Sequence, residues 1–374
     1  MTRRDLLQKI GFTVAAADLL QAAPSEPVHT LPGTQALTWD GDLAERMMDG
    51  AYKYVERIIA ESVEARRKYW KRDLSSRGAY EKSVEPNRDR FLKAIGVVDS
   101  RVAVDMERFG DDDNAALVSE TDMYAVYQVR WPVLDRISGE GLLLEPKRPP
   151  AGYVVALPDA DQTPEQIVGL ASGVAAGNQF ARRLAENGFA VLVPTMIDRT
   201  SRWSGRPDIH MTDQPHREWI YRQAYQMGRH IIGYEVQKVL AAVDWFELKS
   251  GDKGKSGGTG KIGVAGYSEG GLIAFYSAAV DTRIDAAMVS GYFDSRQGVW
   301  SEPIYRNVWA LLHEFGDAEL STLIAPRGLI IEYRRVPDIT SPKGDLKTPK
   351  FETVRAEFDR IDALTVRDSP RSDW

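Results

Sequence analysis

The stretch Lys261-Ile-Gly-Val-Ala-Gly-Tyr-Ser-Glu-Gly-Gly-Leu-Ile-Ala-Phe-Tyr-Ser-Ala-Ala-Val280 decides the fold. Lys261 to Ala265 is a short apolar run, the mark of a strand covered on both faces. Leu272 to Val280 reads as a helix. Between them Gly266-Tyr267-Ser268-Glu269-Gly270 spells G-x-S-x-G. That pentapeptide between a buried strand and a helix is the setting of a nucleophile elbow. The serine must occupy a strained turn for its hydroxyl to stand clear at the strand's carboxyl end. Gly266 and Gly270 remove side chains that would collide with neighbouring backbone, and Gly271 allows close packing one position on. The helix N-terminus aims free amides at the same point, which favours developing negative charge.

Working outward, strand and helix signals alternate. Tyr124 to Trp131 and Gly141 to Glu145 read as two antiparallel strands. Gly152 to Leu157 and Phe189 to Val193 read as buried strands, and Ile284 to Ser290 and Gly328 to Glu332 as two more strands. Helical patterns cover Gln179 to Asn187, Arg217 to Phe246 and Phe351 to Leu364, with a long loop from Thr195 to Gln214. This order predicts an α/β fold: a mostly parallel twisted sheet with helices on both faces. Ahead of it, Leu43 to Ile95 repeats apolar residues at helical spacing (Met47, Ala51, Tyr54, Ile58) and breaks at Leu74 to Gly78. The expected organisation is a linker over 25–40, a helical subdomain over 41–115 and the α/β domain over 116–374. The Gly/Lys-rich loop Ser250 to Gly260 lacks the upstream glycine spacing and preceding strand of a phosphate-binding loop.

The elbow, the Arg222 to Trp245 segment before it and Leu323-Ile-Ala-Pro-Arg327 together resemble the α/β-hydrolase superfamily over residues 116–374. The nearer likeness is to dienelactone-hydrolase-like and acetyl-xylan-esterase-like bacterial proteins. The resemblance implies a serine hydrolase that cleaves carboxylic esters through an acyl-enzyme on Ser268. It implies an oxyanion site at the Glu269 amide, with a second amide from Asp159 or Ala160, since Pro158 has no N–H to give. It places the triad acid just past the strand ending at Glu332, with Asp338 favoured over Glu332. A prolyl-oligopeptidase-type peptidase shares the elbow, but usually brings a β-propeller where this chain has helices.

The superfamily order is serine, acid, histidine. The histidines are His29, His210, His216, His230 and His313, and none follows Asp338. The last strand–helix unit of the fold is therefore expected to be missing from this stretch of chain. Its loss should expose apolar sheet surface and lower solubility. Recruitment of a base from elsewhere and loss of catalysis, which would leave a binding module, are the competing readings. His210 and His216, on or beside the long loop, are candidates to line a substrate cleft, as is Trp203, whose ring suits stacking on a sugar face. His230 reads as a packed core histidine and His313 as structural.

The N-terminus begins Thr2-Arg3-Arg4-Asp5-Leu6-Leu7, followed by a weakly apolar stretch and Ala22-Ala23-Pro24. It resembles a twin-arginine export signal over residues 1–24 and implies a periplasmic or extracellular protein. A cytoplasmic protein with an amphipathic first helix is the alternative. The 374 residues carry 48 Lys+Arg against 54 Asp+Glu, a net charge of −6, with 43% hydrophobic residues. That balance excludes a disordered chain and lacks the basic footprint of a nucleic-acid binder. There is no cysteine, hence no disulfide, thiol nucleophile or Cys-based metal site. No segment has the length of a membrane span, no metal-ligand spacing occurs, and no cofactor is expected. The expected partner is a small-molecule or polysaccharide ester.

Overall fold

The computed structural model describes residues 30–35, 41–204, 214–251, 260–340 and 344–365. It contains two compact units, residues 1–57 and 58–374. In the first, the helix α1 (Leu43–Ala65) begins, as the spacing of Met47, Ala51 and Tyr54 predicts; Lys53 donates to Asp49 one turn back at 2.7 Å. Everything below concerns the second unit.

Nine strands form one sheet among the described residues. They are β1 (Glu107–Arg108), β2 (Leu117–Glu120), β3 (Tyr124–Leu134), β4 (Ile137–Pro146), β5 (Tyr153–Leu157), β6 (Ala190–Pro194), β7 (Ile262–Tyr267), β8 (Ala286–Ser290) and β9 (Gly328–Glu332). The order is β1-β3-β4-β6-β5-β7-β8-β9, with β2 also on β3. Pairings through β4–β6 are antiparallel and those from β6–β5 to β8–β9 are parallel. The seven strands expected from sequence are present. β1 and β2 are additional, and β1 falls inside the stretch expected to be helical.

The helices are α2 (Arg77–Ala94), α3 (Pro164–Val168), α4 (Phe180–Glu186), α5 (His216–Tyr225), α6 (Ile231–Gly251), α7 (Glu269–Val280), α8 (Leu311–Glu314), α9 (Asp317–Ile324) and α10 (Phe351–Leu364). The period of two along each strand sends alternate side chains to opposite cores. Val155 and Leu157 of β5 and Leu192 of β6 join α2, α6, α7 and α9 in the larger core. Ala156, Val191 and Val193 face the other way, onto Ile167 and Val168 of α3 and Ala181 and Ala185 of α4. Helices therefore cover both faces. Val84, Phe91 and Ile95 belong to the same large core, so this part of the expected helical subdomain packs directly against the sheet's helices. Ser76 caps α2 by accepting from the Ala79 amide at 3.1 Å.

The helix expected over Arg217 to Phe246 is two helices. Gly228 sits at φ 64°, and the Arg229 amide reaches back to the Ala224 carbonyl at 3.0 Å. This left-handed glycine cap ends α5, and the chain restarts as α6. On the free side of β9 no further strand pairs among the described residues. Ile330, its central residue, is exposed there.

Candidate active site

β7 and α7 meet at Ser268, whose backbone lies at φ 55°, ψ −114°. For a residue with a Cβ this is a sparsely populated conformation costing about 1–3 kcal/mol, held only where surrounding structure enforces it. Three features enforce it. The Ser268 amide donates to the Ser290 carbonyl of β8 at 2.9 Å. A Cβ on Gly266 would lie 2.0 Å from the Gly270 carbonyl oxygen, and one on Gly270 would lie 2.2 Å from that of Leu157. The turn closes only with both side chains missing. Ser268 itself is buried to 4% exposure and lines a small cavity of about 60 Å³. Arg296, Arg306, Val336 and Lys347 help wall it.

Behind the elbow lies a cluster of buried charges that the sequence did not announce. The fully buried Glu269 carboxylate accepts from Arg199 at 3.1 Å, Arg306 at 2.9 Å and Arg217 at 3.2 Å. Burial pushes this carboxyl up, but Arg306, Arg217 and Arg199 outweigh it and hold it at about 2. Each guanidinium has a second carboxylate: Asp159 for Arg199, Glu235 for Arg217 and Glu302 for Arg306. No charge in the cluster is therefore left to face apolar surroundings alone.

Asp159 closes the arrangement. Arg199 grips its carboxylate with two hydrogen bonds, at 2.7 and 3.0 Å. Oxygen Oδ1 also accepts the Glu269 amide at 3.2 Å. Burial alone would raise the Asp159 carboxyl. The Arg199 hydrogen bonds and charge, then the Ser268 hydroxyl and the Glu269 amide, carry it well below the ordinary carboxylate range. The Asp159 amide, expected as a donor to an oxyanion, donates instead to the Gln162 side chain at 3.2 Å. Ala160 is buried beside it in the same turn.

The other sequence-derived candidates are dispersed. Glu332 accepts from the Ser290 hydroxyl at 2.5 Å and lies 3.5 Å from Arg334. It borders a second cavity of about 300 Å³, shared with Tyr267, Met288 and Asn178. Asp338 is more than half exposed, 3.9 Å from the Arg335 guanidinium. Neither contacts a histidine among the described residues. His216 begins α5; its Nδ1 lies 2.6 Å from Asp198, and its Nε2 accepts the Trp203 amide at 2.7 Å. With Nε2 accepting, the ring proton sits on Nδ1 and donates to Asp198. The Asp198–His216 pair is a feature the sequence reading missed. Trp203 is 80% exposed. His210 lies outside the described residues. His230 is buried: Nε2 donates to the Asn307 carbonyl at 3.1 Å and Nδ1 accepts the Ile232 amide at 3.1 Å. Burial lowers its pKa to about 4. His313 shares a 2.6 Å contact with the Tyr69 hydroxyl. No group of three or more potential metal ligands occurs among the described residues.

A backbone amide and a helix N-terminus beside a strained serine can stabilise a developing oxyanion. Residues 140–297 match the dienelactone hydrolase family model. No curated protein matches the sequence. Among solved structures, an assigned acetyl xylan esterase of Bacteroides fragilis superposes with a TM-score of 0.53 at 14% identity, over 76% of this chain and 75% of that one. A glucuronoyl esterase of Solibacter usitatus gives a TM-score of 0.47 at 13% identity, over 78% and 81%. The chain has the α/β-hydrolase fold, and its residues 140–297 are similar to the dienelactone hydrolase family.

Proposed function

We propose that the chain is a carboxylic ester hydrolase whose nucleophile is Ser268. The observation that carries the reading is the enforced backbone of that serine, between a buried parallel strand and the first turn of a buried helix. In the proposed step the Ser268 oxygen bonds to the acyl carbon and the carbonyl electrons move onto oxygen. Collapse expels the alcohol, which leaves with the proton that the serine gave up, and water then cleaves the acyl-enzyme. The Glu269 amide is the donor proposed for the oxyanion, backed by the dipole of α7. An acyl ester of a plant polysaccharide is the proposed substrate class. The exposed rings of Trp203, Trp300 and Trp309 and the twin-arginine pattern at Arg3-Arg4 support it. That pattern, which also supports export, lies outside the described residues. No helix among the described residues is long and apolar enough to cross a membrane.

One observation favours a second reading, a hydrolase-fold binding module without turnover. The Glu269 amide is already bonded to a carboxylate of the same chain. Hydrolysis of p-nitrophenyl acetate separates the two. Turnover that disappears in Ser268→Ala supports the hydrolase. A folded wild-type chain with the same background rate as Ser268→Ala overturns it.

A further inference from the structure

The Asp159 carboxylate takes the amide proposed above as the oxyanion donor. Oδ1 lies 3.2 Å from the Glu269 nitrogen, the amide that the first turn of α7 offers at the elbow. Asp159 also lies close enough to Ser268 for that hydroxyl to favour its ionised form. It is 1% exposed, so solvent does not compete for these contacts. A carboxylate oxygen carries a partial negative charge, as the oxygen of a tetrahedral intermediate does, and hydrogen-bonds to the same donors.

This placement is built, not incidental. Asp159 follows Pro158 at the end of β5, and the β5–β7 pairing of Leu157 with Gly266 brings that strand end beside the elbow. Gly270 gives the backbone room to approach Leu157 and Pro158. Arg199, from the loop after β6, then fastens the carboxylate by two bonds while also holding Glu269 and Asp161. Its hydrogen bond to Tyr305 at 3.0 Å fixes the guanidinium further. The amide of Asp159 is spent on Gln162, which locks the turn with the side chain facing inward.

We infer that Asp159 is an internal occupant of the oxyanion cradle, and that the conformation described here is a self-blocked form of the site. The inference rests on the hydrolase reading for its consequence, since blocking matters only where Ser268 reacts. An ester carbonyl can take the Glu269 amide only after the Asp159 carboxylate has moved off it. Arg199 keeps Glu269, Asp161 and Tyr305 as partners during such a movement, so it has no need to follow Asp159. In a chain lacking the Asp159 carboxylate, the Arg199 fork and the Glu269 amide form an empty receptor for a small carboxylate anion.

The test uses the full chain, Asp159→Ala, and two readouts. The first is the rate at which a fluorophosphonate probe tags Ser268. Removing one charge-assisted hydrogen bond from the competing occupant should speed tagging by about tenfold or more. Added formate should slow the variant again and leave wild type unchanged. The second is thermal melting. Formate should raise the melting temperature of Asp159→Ala and not that of wild type. A variant tagged no faster than a wild type that does react overturns the inference. If neither protein is tagged, the hydrolase reading fails, and the formate melt decides the occupancy by itself: a rise supports it and a flat response overturns it. Asp159→Asn keeps the volume and drops the charge. Should the alanine variant not fold, faster tagging of this one supports the inference and an unchanged rate overturns it.

Discussion

Replacing Glu269 with Gln keeps the shape of the side chain and removes the charge that three buried guanidiniums share. Arg199, Arg306 and Arg217 sit 3.1, 2.9 and 3.2 Å from its oxygens. Breaking a buried ion pair by removing one partner costs about 3–5 kcal/mol, because the other charge stays desolvated. Each arginine here keeps a second carboxylate, so the low end, about 3 kcal/mol, applies. Unfolding entropy of about 2.1 cal/mol/K per residue gives about 0.8 kcal/mol/K for 374 residues. The melting temperature should therefore fall by about 4 °C. The half-exposed Glu332→Gln, as a control, should shift it by about 1 °C or less. The pH dependence follows from the sign of the shift. Glu269 is held at about 2 when folded, below its ordinary 4.5. Its contribution is present above about pH 4.5 and is lost as pH falls toward 2. The deficit of Glu269→Gln should accordingly shrink in acid. Calorimetry of both variants from neutral pH downward makes the comparison. A Glu269→Gln chain that melts with wild type at neutral pH would refute the claim that this carboxylate balances the cluster.

The remaining predictions concern the elbow and the core. Ser268→Gly should be more stable than Ser268→Ala by about 1 kcal/mol in urea unfolding, since only glycine adopts this backbone without strain; equal midpoints would argue that the turn is relaxed. Gly270→Ala should lose about 3 kcal/mol or more, and any esterase activity with it, because the new methyl meets the Leu157 and Pro158 carbonyls. A soluble, active Gly270→Ala would contradict the close approach. His230 titrates near 4 when folded against about 6.5 when unfolded. Its contribution of about 3 kcal/mol is fully present above pH 6.5 and lost as pH falls toward 4. Urea midpoints of His230→Gln should be flatter across that window than those of wild type.

Much of the fold was legible because burial writes itself as pattern. The parallel strands are continuous apolar runs, and the glycines of the elbow stand where backbone approaches backbone. α10 spans Phe351–Leu364, the bounds that its periodicity predicts. β1 and β2 were not legible, because they are mostly exposed and carry no apolar alternation. α5 and α6 read as one helix because a single glycine in a helical pattern looks tolerable; its left-handed backbone is a tertiary fact. The charge cluster was the least legible part. Arg199, Arg217 and Arg306 reach Glu269 from 70, 52 and 37 residues away. No local spacing links them, and each alone reads as an ordinary surface arginine. Asp159 was noticed for its amide, whereas it is the carboxylate that meets the elbow. Asp338 and Glu332 followed from a family's chain order, and that order supplies no contact to a histidine among the described residues.

The most direct measurement is peptide mapping after exposure of the folded chain to a fluorophosphonate probe. The account predicts one adduct, on Ser268 within the tryptic peptide Ile262–Arg283, and none in Ser268→Ala. An intact, cooperatively melting protein that takes no adduct there, with Asp159→Ala equally untagged, or that takes it on another serine, would contradict it.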